Sequence, residues 1–188
     1  MAEAESLNST VAPPTKAGRM EIFSGGGVAL TPETMPFEGV DESVMAGFAK
    51  LMANGAVEGA GETVRCLYRE SQGRFSVCYG WFKSGSVLPR HSHNADCVYY
   101  VLGGELKLGA RVLRKGDGFF VPADHGYTYE AGPDGVEVLE FRNSTNFNIN
   151  FKGNDDAHWE RMAKAYREHA ASWANETVPP SERAAVAK

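Results

Sequence analysis

An all-β barrel or sandwich, with a helix on each side of it in sequence, is the fold this chain predicts. Three observations carry the prediction. From Thr63 to Phe151 the chain breaks into many short runs rich in Val, Tyr, Phe and Trp. Turn residues, mostly glycine, separate these runs roughly every eight to twelve residues, the spacing of sandwiches and barrels. Periodicity of the helical kind shows only outside this stretch, around residues 41–55 and 155–173.

Residues 1–19 hold Ser, Thr, Ala and Pro13-Pro14 with little to bury, and read as a disordered tail. Thr31 and Pro32 look like a helix start, a cap followed by proline in the first turn. A clearer helix follows, capped by Asp41, with Val44, Met45, Phe48, Leu51 and Met52 on one stripe and Gly55 as its stop.

Strands then run over 64–69 and 74–83, split by the Ser71-Gln72-Gly73 turn, and over 98–102, 105–108, 111–113, 119–121, 126–129, 136–142 and 145–151. Gly103-Gly104, Gly109, Lys115 to Gly118 and Ala131 to Gly135 are the expected turns. In the last strand Phe147, Ile149 and Phe151 alternate with Asn146, Asn148 and Asn150, a half-buried strand near a sheet or dimer edge.

A final amphipathic helix is expected over 155–172, with Trp159, Met162, Tyr166 and Trp173 packing on the barrel or on a partner. His158 and His169 fall on its expected exposed side. The organisation predicted is a disordered tail (1–19), an N-terminal helical extension (20–60), the β-barrel (61–152), a C-terminal helix (153–175) and a flexible tail (176–188).

Composition excludes several classes. The net charge of −5 is mild and no basic cluster of the kind that replaces nucleic-acid counterions is present. No apolar run reaches the length of a membrane span, and the acidic start Met1-Ala2-Glu3-Ala4-Glu5 lacks the apolar stretch of a signal peptide. Three cysteines, Cys66, Cys78 and Cys97, form no Cys-x-x-Cys pair, so a disulfide framework is not expected and a cytoplasmic setting is. No phosphate loop, nucleophile elbow or dinucleotide fingerprint occurs, since Gly25-Gly26-Gly27 stands without a strand–helix unit.

The chemistry-bearing feature is His91-Ser92-His93. Side chains alternate along a strand, so both imidazoles share a face and can offer two nitrogens to one metal ion. The alternative is a structural histidine pair, hydrogen-bonded at a barrel rim. Around this pair, Gly85-x5-His91-x-His93-x3-Cys97-x6-Gly104 resembles the first motif of the cupin superfamily, Gly-x5-His-x-His-x(3,4)-Glu-x6-Gly. Gly116-Asp117-Gly118-Phe119-Phe120-Val121-Pro122 resembles the opening of the second, Gly-x5-Pro-x-Gly-x2-His-x3-Asn. The resemblance covers about residues 62–152 and implies a single double-stranded β-helix, the jelly-roll or cupin barrel, whose mouth holds a metal.

Two ligand positions depart from that pattern. Cys97 stands where the family has glutamate and Tyr127 where it has the second-motif histidine; Asp124 replaces the motif glycine. Cys97 is either a thiolate ligand for a soft metal or a small buried thiol. His125 is the best third ligand left, two residues out of register yet on the same strand face, or else a loop histidine. Tyr127 would share that face and serve as acid, base or ligand, or simply fill the barrel. Tyr99 lies on the face of Cys97 and lines the cavity. Glu140 and Arg142 share a face of a late strand, as a salt bridge or as anchors for a polar substrate.

What the resemblance implies for function is a metal-dependent enzyme on a small molecule. The first form is a non-haem iron dioxygenase acting on an aromatic or dicarbonyl compound, with Fe(II) as the metal. The second is a non-oxidative isomerase, cyclase or lyase using zinc or nickel, with copper as a further metal if Cys97 ligates. The third is a barrel that binds a small ligand without chemistry. The expected partners are a small-molecule substrate and a second copy in a homodimer.

Overall fold

The computed structural model describes residues 19–56 and 61–183. The predicted tail lies outside them save for Arg19, as do the last five residues of the chain. The elements are β1 (Val28–Ala29), β2 (Phe37–Glu38), α1 (Glu42–Ala53), β3 (Glu62–Arg69), β4 (Ser76–Phe82), β5 (His91–Ser92), β6 (Cys97–Leu108), β7 (Arg111–Arg114), β8 (Gly118–Val121), β9 (Glu130–Arg142), β10 (Ile149–Phe151) and α2 (Asp156–Trp173).

They form a jelly-roll barrel of two sheets. The larger runs β1-β3-β4-β9-β6-β7, with β8 also paired to β6; the smaller runs β2-β10-β5. All pairings are antiparallel except β2 with β10. The register aligns inward side chains in rows across the large sheet. Cys66 on β3, Cys78 on β4, Glu140 on β9, Tyr99 on β6 and Phe119 on β8 form one row. Ser76, Arg142, Cys97 and Val121 form the next. Alternation therefore fixes which residues can meet inside the barrel.

Several local expectations are corrected. Gly103-Gly104 and the stretch 131–135 are not turns between strands. They lie inside β6 and β9, which stay paired through two bulges, at Val101/Gly103 and Gly104/Leu106. Gly104 has φ +71° and its Cα packs on the backbone of Gly135 and Val136, so neither a side chain nor an ordinary backbone angle would fit there. Thr31 starts a single turn closed by Thr34 N–H to Thr31 O (2.9 Å) and no helix. The extension over 20–60 is only partly helical: it adds β1 to one sheet and β2 to the other. β10 is shorter than expected and occupies the middle of its sheet instead of an edge.

The helices close one end of the barrel. Asp41 and Asp155 cap them, each accepting from the backbone N–H three residues on (2.9 and 2.8 Å). They cross where Gly47 faces Trp159, and Phe48 meets Trp159 edge-on at 5.5 Å. The tryptophan stripe thus packs on this chain's own α1 and barrel. Of the two histidines expected outside, His158 is buried, with Nε2 2.9 Å from Leu88 O, and His169 stacks on Trp173 at 6.2 Å. The segment 176–183, expected as part of a flexible tail, folds back on the barrel. Glu176 accepts from Ser84 N–H (3.1 Å) and the Ser181 amide donates to Glu137 (2.5 Å). No described helix is long and apolar enough to cross a membrane.

Candidate functional site

The barrel and its two helices enclose a cavity of about 440 Å³. Its mouth is apolar, made by Phe48, Leu51 and Met52 from α1, Met162 and Tyr166 from α2, and Phe37. Its floor is polar: His91, His93, Tyr99, Tyr127, Glu140 and Arg142, all 6 % exposed or less. Six of the eight residues singled out from the sequence meet there. β5 with the residue that follows it, β6 and β9 present alternate residues to one interior, and a backbone bridge to His91 adds Tyr127.

The histidines are held from behind. His91 Nδ1 donates to Pro89 O (2.7 Å), and His93 Nδ1 donates to Asn148 O. Each bond fixes the tautomer and leaves Nε2 as a lone pair facing the other floor residues. His91 Nε2 accepts from the Tyr127 hydroxyl (3.1 Å), which in turn accepts from the Tyr99 hydroxyl. His93 Nε2 accepts from Arg142 (3.4 Å), whose same nitrogen is bonded to Glu140. Burial, reinforced by the Arg142 charge, lowers His91 to about 4, and the same causes with His91 itself hold His93 well below its ordinary value. Burial and the charge of Glu140 push Tyr99, Tyr127 and Tyr129 well above the usual phenol range. At neutral pH the floor is therefore two neutral imidazoles, neutral hydroxyls and one internal ion pair.

The other two residues lie elsewhere. Cys97 is 1 % exposed and belongs to the apolar core, and its partner across the sheet, Arg142, lines the cavity instead. Burial pushes the Cys97 thiol up to about 12, so it stays protonated. His125 is exposed on the loop after Pro122. Regular strand geometry would have kept it on the face of Tyr127, but Asp124 takes φ 61° and its N–H bonds His93 O (2.7 Å), so the chain turns there. Tyr127 then pairs antiparallel with His91: the His91 N–H donates to Tyr127 O (3.0 Å) and the Tyr127 N–H to His91 O (2.9 Å). Asp124 stands where the family motif has glycine, and adopts the left-handed backbone that glycine would supply.

Three contributors escaped sequence reasoning. Asn94 and Asn148 clamp the His93 segment with reciprocal side-chain to backbone bonds of 3.1 and 2.9 Å. Glu62, exposed at the start of β3, also lines the cavity. Its alternation with Val64 and Cys66 was a readable sign of an inward side chain.

Residues 63–178 match the family model described as Cupin. The chain belongs to the cupin family. Among solved structures, this cupin is similar to an RmlC-like cupin from Shewanella frigidimarina, at 26 % identity, over 47 % of this chain and 80 % of that one, with a TM-score of 0.41. KdgF from a Halomonas species matches at 21 % identity over 47 % and 84 %, TM-score 0.41. The polyketide cyclase RemF from Streptomyces resistomycificus matches at 18 % over 57 % and 82 %, TM-score 0.46. No curated protein matches.

The floor does not fit a resident iron centre. The two Nε2 lone pairs suit a metal, but among the described residues no third His, Cys, Asp or Glu joins them in a group that could hold one. The two remaining ligand positions of the family carry a protonated phenol, Tyr127, and a core thiol, Cys97. A guanidinium, Arg142, already hydrogen-bonds the lone pair of His93. That adds positive charge where a cation would have to sit.

Proposed function

We propose that this cupin binds a small, mostly apolar organic compound carrying a carbonyl or phenolic oxygen, head-first on the polar floor. One observation carries the reading: the floor's charges cancel internally while its hydrogen-bonding groups converge on one cavity with an apolar mouth. An ionic head would leave water and meet no free countercharge, at a cost on the order of several kcal/mol. A neutral oxygen would instead meet the donors the floor leaves unpartnered, the Tyr129 hydroxyl and Nε and Nη1 of Arg142, with its apolar body against Phe48, Leu51 and Met162. The aromatic or dicarbonyl class expected from the sequence fits this chemistry; the oxidative form of the function finds no support in the donor set.

A second reading, non-oxidative turnover, is favoured by the chain Tyr99–Tyr127–His91. It links two hydroxyls to an imidazole lone pair and offers a path for a proton to or from a ligand oxygen beside Tyr127.

The test is thermal stabilisation by aryl ketones, 1,3-diketones and phenols, against aryl carboxylates, with and without a strong chelator. Stabilisation by the neutral compounds that survives chelation and is lost in Tyr127→Phe is expected. Binding or turnover that requires added Fe(II), with His91→Ala abolishing metal uptake, would restore the dioxygenase reading.

A further inference from the structure

Cys66 and Cys78 are not used by the cavity chemistry. They are direct cross-strand partners on β3 and β4, in the same row as Glu140. Antiparallel partners lie about 4.5–5.5 Å apart at Cα, inside the range of about 4.4–6.8 Å that a disulfide spans. Arg69 donates from Nε to the Cys66 sulfur at 3.4 Å. That guanidinium is anchored by Thr145 O and Thr34 O, each at 2.9 Å, and its Cζ lies 4.9 Å from the centroid of the Phe147 ring. It is thus a built contact and not a passing surface arginine. Cys66 also lines a groove of about 350 Å³ bordered by Leu30, Thr34 and Leu67, which gives a small oxidant a route to it. Cys78 is fully buried behind it.

We propose that Cys66 and Cys78 form a reversible dithiol–disulfide pair, with Cys66 the peroxide-reactive sulfur and Cys78 the resolving one. The Cys66 thiolate attacks a peroxide oxygen: the S–O bond forms, the O–O bond breaks, and hydroxide, or alkoxide from an organic peroxide, leaves. Cys78 then attacks the resulting sulfenic sulfur. The S–S bond forms, the S–O bond breaks, and the proton of Cys78 leaves with the hydroxyl as water. Two thiols are oxidised and one peroxide is reduced; a small dithiol reverses the change. The electrostatics agree with these roles. The Cys78 thiol, with Arg69, lowers Cys66 to about 6, whereas the same hydrogen bond and burial raise Cys78. Once Cys66 is a neutral sulfenic acid, the thiolate that holds the Cys78 proton is gone.

Cys97 is the internal control, buried without such a contact and held protonated. The experiment is treatment of the folded full-length chain with a slight excess of hydrogen peroxide at pH 7. Thiol counting, intact mass and peptide mapping follow, before and after dithiothreitol. The expected result is loss of two of the three thiols, a Cys66–Cys78 linked peptide, and full recovery on reduction. Cys66 should react at least about a hundredfold faster than Cys97. Cys78→Ser should leave Cys66 as a sulfenic acid that dimedone captures, and Arg69→Met should slow oxidation by about threefold to tenfold. Three intact thiols, Cys97 reacting first, or disulfides only between chains would each overturn the proposal. The wild-type peptide map decides it even if a variant fails to fold.

Discussion

Replacing Tyr127 by Phe removes one oxygen from the middle of a buried chain and leaves the ring in place. The hydroxyl donates to His91 Nε2 at 3.1 Å and accepts from Tyr99. Its loss therefore orphans an imidazole lone pair and a phenolic O–H at sites 5 % and 1 % exposed. Each such orphan costs about 1–3 kcal/mol, so the variant should lose about 2–4 kcal/mol, allowing for partial relaxation. Tyr99→Phe is milder, because Tyr127 keeps His91 and loses only a donor to its oxygen; about 0.5–1.5 kcal/mol is expected. In the double variant no Tyr99 hydroxyl remains to be orphaned. Its cost should fall below the sum of the singles by about 1 kcal/mol. Urea unfolding of the four proteins, read by fluorescence and circular dichroism, measures this directly. Melting temperatures should follow, at about 2–4 °C per kcal/mol for a chain of this size. Additivity of the two substitutions within about 0.3–0.5 kcal/mol would show that the hydroxyls are not coupled, and would remove the relay from the reading of the site.

Acid should destabilise this protein through the same floor. The folded value of His91, about 4, lies below its unfolded value near 6.5, so the unfolded chain takes up the proton first as pH falls. Its contribution is whole above pH about 6.5 and is lost towards pH 4, about 3 kcal/mol in all, with His93 acting in the same direction. His91→Gln should flatten the stability–pH curve there, and an unchanged slope would contradict the burial argument. Gly47→Ala places a Cβ within 2.7 Å of Trp159 Cε3 and closer still to two other ring atoms. Overpacking of about 1–3 kcal/mol should outweigh the roughly 1 kcal/mol gained in helix propensity, and a chain stabilised by the change would disprove the close α1–α2 crossing. Asp155→Ala removes the cap bond to His158 N–H and should cost about 1 kcal/mol, measured by thermal unfolding.

Much of the fold was legible because its signals are local. Asp41 and Asp155 mark helix starts by a side-chain oxygen three residues from an orphan amide, and the structure keeps both. The tryptophan stripe of α2 needs only helical spacing to be read. Errors came where a long-range partner overrides a local preference. Gly103-Gly104 reads as a turn by composition, yet β9 continues to pair across it, so the glycines make bulges in one long strand. His158 reads as exposed by spacing, but the carbonyl of Leu88 buries it.

The sequence by itself determined that His91 and His93 share a strand face, that Glu140 and Arg142 share another, and that Cys97 and Tyr127 stand in for two cupin ligands. Alternation of side chains is a property of two neighbouring residues, so no tertiary contact is needed to read it. Only the tertiary structure decided what those faces meet. Strand register brings Tyr99 opposite Glu140 and Tyr127 opposite His91. The turn at Asp124 sends His125 to solvent, and Arg142 reaches the lone pair of His93. Register and loop path depend on hydrogen bonds between distant segments, such as those of His93 to residues 55 and 49 positions away, and those bonds turn a ligand pattern into a neutral, hydrogen-bonding floor.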